Sequence, residues 1–274
     1  LLQAGGSWRW IFGLLLLLGV TGLVAVVFVL PETHPARIRG AHPAVAEPGS
    51  AREVRIRIWT LLCRRQVLVS ALVLGLCGSA MIAHLAGLSF YLQDHRGLSP
   101  VGYAAVCAVD AAGMVLANSV NRLLLRRWAP QQVLTVTVPA MLAFGVAFAG
   151  LLQVEAPLVG VIPALFLMIS CWGFVMPNAV AVGMSVERRA AGRAAAILGV
   201  AQFGFGVFSA PLVGTVPVIA GIPPMGTVIV ASLAGAVLAQ LGGRLGRKAG
   251  PVRERRCELP VAVPVRACRS GAEQ

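Results

Sequence analysis

Seven long apolar stretches, almost free of charge, constrain this chain more tightly than any other feature of its sequence. They run Arg9 to Leu30, Val67 to Leu92, Pro100 to Leu125, Val133 to Gln153, Pro157 to Gly183, Ala194 to Val216 and Pro223 to Gly242. A hydrocarbon core about 30 Å thick is crossed by roughly 20 residues of helix, and inside lipid a helix satisfies its backbone donors and acceptors without water. The expectation is an all-α membrane protein with seven transmembrane helices. Composition points the same way: 58% of the residues are apolar and 12% charged, too few polar groups to cover a soluble sphere. A water-soluble enzyme is excluded.

Lysine and arginine number 23 against 10 acids, and the resulting charge of +13 would by itself suggest a nucleic-acid partner. Their positions argue for topology instead. Pro31 to Gln66 holds seven, Asn121 to Gln132 three, Ser185 to Arg193 three and the chain after Gly243 eight, whereas the opposite side has only Arg9 and Arg96. Positive loops stay on the cytoplasmic face, so the chain is expected to start outside, cross seven times and end inside. The basic face then suits anionic membrane lipids, and no nucleic-acid partner is expected.

The longest inner connection, 31–66, carries Pro31, Pro35, Pro43 and Pro48 and reads as a linker between two structural units. Within it, Arg55 to Arg65 places Ile58, Trp59 and Leu62 on one face, which fits either a short helix on the inner leaflet or the polar lead-in to the second span. The tail, 244–274, has no sustained period and is expected to be disordered. The six cysteines show neither a CxxC pair nor a CxxxH spacing, so no metal site is expected. Nor is a disulfide: Cys77, Cys107 and Cys171 fall in apolar runs, and Cys63, Cys257 and Cys268 in segments assigned to the reducing cytoplasm. The chain opens on Leu1, and its first run is too long for a signal-peptide core, which suggests a truncated N-terminus.

A series of motifs carries a family resemblance. SWRWIFGLLLLLGVTGLVAVVFVLPETHP (Ser7 to Pro35) resembles the sixth helix of Bcr/CflA-type drug exporters of the major facilitator superfamily. FYLQDHRGLSP (Phe90 to Pro100) is similar to their outer turn between helices seven and eight, and NRLLLRRWAP (Asn121 to Pro130) to the basic turn after helix eight. MPNAVAVGM (Met176 to Met184) resembles the end of helix ten, and AGRAAAILGVAQFGFGVFSAPLVG (Ala191 to Gly214) helix eleven. The specificity lies in the ordered series, which covers about Trp8 to Gly242.

The resemblance implies a twelve-helix fold of two six-helix bundles, of which residues 1–30 are helix six, 31–66 the inter-bundle loop and 67–243 the C-terminal bundle. Helices one to five, and with them the N-terminal bundle, would be missing. It further implies a multi-pass protein of the bacterial inner membrane that exports small drug-like amphipathic compounds in exchange for protons. No cofactor is implied; the proton gradient supplies the energy. In such carriers one bundle rocks against the other around a central pathway.

Several side chains are candidates for that pathway. Asp110 is the only acid deep within any run, and a charge there costs about 2.5 to 3.5 kcal/mol on insertion scales. At 100° per residue Tyr103, Asp110 and Asn121 share a helix face with Cys107, Met114 and Ala117, and that stripe is expected to face a cavity. Asp110 then either exchanges a proton for a cationic drug or is a hydrogen-bonded packing group; the family's equivalent position is often neutral. His84 lies seven residues from both Cys77 and Tyr91 on one sector of its helix, and is a proton relay or a partner in one interhelical hydrogen bond. Gln202 and Ser209 share a face, as do Cys171, Asn178 and Ser185, and amides in a cavity tolerate varied substrates. Phe203, Phe205, Phe208 and Trp172 offer aromatic contact or core packing. Pro177 removes one helical hydrogen bond and either permits gating or serves packing. Arg122, Arg126 and Arg127 either lock one conformation at the inner turn or anchor the membrane face.

Other classes fit less well. The only lysine, Lys248, lies in the tail, so a retinal-type seven-helix receptor has no Schiff-base residue. An intramembrane hydrolase would need GxSxG, HExxH or a second buried acid, and none is present. A truncated, non-transporting membrane scaffold stands as the alternative to transport.

Overall fold

The computed structural model describes residues 9–29, 61, 64–185, 191–215, 217–218 and 222–248. The chain divides into two compact units, Leu1–Glu53 and Val54–Gln274, and the division falls inside the proline-bearing segment 31–66. The first unit contains α1 (Arg9–Val29), whose sequence is apolar around its whole circumference, as a helix surrounded by lipid requires. Its 21 residues extend about 31 Å at 1.5 Å per residue. Thr21 is accommodated because its hydroxyl donates to the Leu17 carbonyl, 2.8 Å away.

The second unit holds α2 (Arg65–Ser89), α3 (Pro100–Leu124), α4 (Pro130–Gln153), α5 (Leu158–Met184), α6 (Ala191–Thr215) and α7 (Pro224–Lys248). All six are long and apolar enough to cross a membrane. With α1 these are seven long apolar helices among the described residues, the all-α membrane architecture expected from the apolar runs.

The helix ends follow local chemistry. Ser99 caps α3, its Oγ accepting from the Gly102 amide at 3.1 Å, with Pro100 in the first turn. Three residues of α4 precede the expected start at Val133, because Pro130 suits the first turn and the Gln132 Oε1 accepts from the Ala129 amide at 2.9 Å. α2 begins at Arg65, whose guanidinium donates to the Gly242 carbonyl of α7. It continues past Ser89 into a π-helical turn, Phe90–His95, closed by the Arg96 amide donating to the Tyr91 carbonyl at 3.1 Å. Gly97, at φ 65°, then reverses the chain in a conformation that suits glycine.

One sequence expectation needs correcting at the far end. α7 runs to Lys248, so 244–248 are helical rather than part of a disordered tail. Arg244, Arg247 and Lys248 ended the apolar run without ending the helix, since straight-chain basic residues are good helix formers and suit a helix C-terminus. The expected tail from 249 onward, most of the linker 31–66 with its possible inner-leaflet helix, and Cys63, Cys257 and Cys268 lie outside the described residues.

Within the second unit α2 is central, packed against α5, α6 and α7; α5 in turn holds α3 and α4, and α7 closes on α4. Leu74, Phe148, Met168 and Leu233 are fully buried between them. Two contacts require glycine. A Cβ on Gly75 of α2 would stand 2.9 Å from the Ala201 carbonyl of α6, and one on Gly173 of α5 would stand 2.8 Å from the Met114 carbonyl of α3. Small residues let backbones approach this closely in lipid, where packing replaces the hydrophobic effect as the driving force. α3 and α6 keep large apolar side chains outward, among them Val115, Leu116, Val200 and Phe203.

Candidate polar site within the bundle

Burial of α3 on α5, with Asp110 reaching toward α2, selects which of its polar groups are enclosed. Asp110 is buried near the middle of α3, and it faces α2, where His84 is buried too. The His84 Nε2 and Asp110 Oδ2 atoms stand 3.9 Å apart, close enough for charge to be felt and too far for a hydrogen bond. Among the described residues neither carboxyl oxygen and neither imidazole nitrogen has a side-chain hydrogen-bond partner, and the imidazole lies against the Met81 backbone one turn earlier in α2. Ser170 of α5 adds a buried hydroxyl without a hydrogen-bond partner among the described residues.

Nearer the arginine-rich end a second pair behaves differently. The Asn178 Nδ2 donates to Asn121 Oδ1 at 2.8 Å and to the Phe174 carbonyl at 2.7 Å, joining α5 to α3. The expected stripe on α3 therefore divides. Asp110, Ala117 and Asn121 are buried in helix contacts, while Tyr103, Cys107 and Met114 are half-buried. Gln202 is half-buried on α6, where its carbonyl lies beside Gly78 of α2. α5 continues unbroken through Pro177. Arg122, Arg126 and Arg127 are exposed, and Arg127 and Trp128 border a cavity of about 440 Å³ with Gln131 and Thr135. Cys77, Cys107 and Cys171 are free thiols. Trp172 is buried and Phe205 packs against Gly75, whereas Phe203 and Phe208 are exposed.

Tyr91 belongs to the opposite end. The π-helical turn stacks its ring on His95, centroids 5.6 Å apart, and brings the Arg96 guanidinium 5.3 Å from the ring centre. The Arg96 Nη2 donates to the Tyr91 hydroxyl at 2.8 Å and to the Ala156 carbonyl at 2.9 Å, pinning the α2–α3 turn to the α4–α5 turn. Reasoning from sequence passed over Glu155 in that second turn. It has φ 49°, an uncommon conformation for a residue other than glycine. Together with Phe90, Tyr91 and Met225 it lines a half-open cavity of about 700 Å³. Among the described residues no cluster of three or more His, Cys, Asp or Glu side chains is placed to hold a metal.

Residues 1–211 match the family description of the Major Facilitator Superfamily. The chain is also 24% identical over 215 residues to the Uncharacterized MFS-type transporter YdgK of Bacillus subtilis (strain 168), an alignment covering 78% of this chain and 52% of that protein. The chain thus spans about half the length of the curated relative it matches. The superfamily match extends over most of the sequence, and the chain belongs to the Major Facilitator Superfamily of multi-pass membrane transporters.

Proposed function

We propose that this chain supplies one lobe of a Bcr/CflA-like, proton-coupled efflux antiporter, exporting small amphipathic compounds across the bacterial inner membrane. The arginine-rich end and the C-terminus face the cytoplasm in this reading. The observation that carries it is the His84–Asp110 pair, ionisable, enclosed, 3.9 Å apart and not hydrogen-bonded to each other. Ionisable groups in mid-membrane mark ion and substrate pathways, since hydrocarbon otherwise disfavours them.

The chemistry follows from charge neutrality. With one proton on the pair, whether on the carboxyl or shared as an imidazolium–carboxylate contact, the site carries no net charge. Release of that proton leaves a carboxylate charge, which a cationic substrate then compensates. Proton and cation are therefore alternatives at one site, as exchange requires. A modest side-chain rotation brings Nε2 and Oδ2 into hydrogen-bond range, so the imidazole can pass the proton on. Tyr103 lies two helical turns from Asp110 and extends the polar path, and the half-buried Gln202 offers an amide contact to substrate, whereas Asn178 is enclosed and spent on Asn121 and Phe174. Pro177 serves as a hinge near the inner end, and Arg122, Arg126 and Arg127 hold the inner turn against headgroups or acidic partners.

Alternating access needs a second lobe for this one to rock against, and the N-terminal bundle is that partner. The chain by itself should insert without transporting. The test uses the complete reading frame containing this sequence, expressed in inverted vesicles with an acidified interior. A fluorescent cationic dye should accumulate inside, and a protonophore should release it. Accumulation indifferent to the protonophore would contradict proton coupling. No accumulation under any gradient would favour the non-transporting scaffold.

A further inference from the structure

We propose a binding site for a monovalent organic cation with a bulky apolar body in the cavity at the arginine-poor end of the second unit. The binding claim stands on the cavity itself; its use as an exit station rests on the efflux reading. The volume of about 700 Å³ is that of a small-molecule site, and four parts of the chain enclose it: the end of α2, the α4–α5 turn, the end of α6 and the start of α7. Close packing of Gly87 on Met225 joins α2 to α7 at its lining, where a Cβ on the glycine would come within 2.7 Å of the Met225 sulfur.

Three features select the ligand. Its walls are chiefly apolar, with the exposed Phe90 offering a ring face and Met225 a polarisable sulfur, while the Tyr91 ring is already engaged by His95 and Arg96. Among the described residues Glu155 is the one acid in the lining and no arginine or lysine lines the cavity, while His95 stands in the lining stacked on Tyr91. Arg96 is committed elsewhere, to the Tyr91 hydroxyl and the Ala156 carbonyl. The Glu155 backbone gives the second, independent sign. It occupies the left-handed position that ends α4, where the Ala156 amide reaches back to the Leu151 carbonyl at 3.0 Å and glycine would be the relaxed choice. A carboxylate is held there against backbone preference, at the mouth of an apolar cavity.

On the efflux reading the cavity also stands beyond the proton pair toward the arginine-poor end. Tyr91 is seven residues along α2 from His84, about 10 Å at 1.5 Å per residue. A cation released from the proton pair toward the arginine-poor end would meet this lining next.

Gly214 supplies a variant that alters the cavity and little else, because it lines the space and a Cβ there meets nothing within 4 Å. The experiment measures binding of tetraphenylphosphonium and of tetraphenylborate, ions of one shape and opposite charge, to the chain in phosphatidylcholine nanodiscs, with empty discs as background. The phosphonium should bind saturably and the borate should not compete. Measured in an Asp110→Asn background, which removes binding at the proton pair, Glu155→Gln should weaken phosphonium binding about fivefold, the scale of a partly solvated charge pair, and Gly214→Leu, which narrows the space, should weaken it at least as much. Glu155→Gly, which relaxes the backbone, should lose the same affinity while unfolding no more readily than wild type. Equal binding of both ions, or phosphonium affinity unchanged by Glu155→Gln and Gly214→Leu, would overturn the site and leave the cavity as space for lipid chains. Because no gradient is applied, binding without dye transport would count against the efflux reading alone.

Discussion

α3 carries two polar side chains that reach across to neighbouring helices, and the two contacts are built differently. Asn121 meets Asn178 of α5 through a 2.8 Å hydrogen bond near the arginine-rich end. Asp110 meets His84 of α2 across 3.9 Å in mid-span, beyond hydrogen-bond range. Polar side chains between membrane helices ordinarily act as glue, and the asparagine pair does so. A second pair that forgoes its hydrogen bond while remaining enclosed is poor glue. What it retains is the capacity to change charge, which an amide pair lacks. The contrast separates a contact that stabilises the bundle from one suited to operating it.

The largest expected effect tests the operating pair. Asp110→Asn keeps the shape and removes the titratable group, so gradient-driven dye accumulation in the complete carrier should fall by at least about tenfold, the scale expected when a needed proton carrier is lost. Its folded yield should equal or exceed wild type, because an unbonded carboxyl contributes little to packing. Reduced yield with normal coupling would reverse the comparison. Next in size is Asn178→Ala, which leaves the buried Asn121 amide without its partner. Unfolding titrations in detergent should show a loss of about 1 to 3 kcal/mol, while the folded fraction still responds to the proton gradient. The smallest effect belongs to Gln240 of α7, whose Nε2 donates to the Leu134 carbonyl of α4 at 2.8 Å. Gln240→Leu should cost about 0.6 kcal/mol in the same titration, the mean for interhelical hydrogen bonds in lipid, and leave coupling untouched.

Much of this arrangement was legible in the sequence because a bilayer admits so few structures. Apolar length located the seven long helices among the described residues, and the third run began where α3 does, at Pro100. Where hydropathy was the sole guide it erred at polar ends, as at Arg244 to Lys248, since lipid preference and helix preference part company at the interface. On α3, helical arithmetic placed Tyr103, Asp110 and Asn121 on one face. It could not divide that face into buried and half-buried portions, because the division depends on how α5 and α2 lie against it. The proximity of His84 to Asp110, and of Asn178 to Asn121, depends on relative helix register, about which a single sequence holds no information. Glu155 was passed over for a different reason: a glutamate gives no warning of a left-handed backbone, and its turn is too short for a pattern.

Infrared difference spectroscopy on the complete carrier, recorded as a cationic dye is added, tests the account at its centre. Exchange at the His84–Asp110 pair predicts that the carbonyl band of a protonated carboxyl disappears as the dye binds, and that Asp110→Asn abolishes this change while dye still binds. The same band loss in Asp110→Asn, or none in the wild-type carrier, would contradict it.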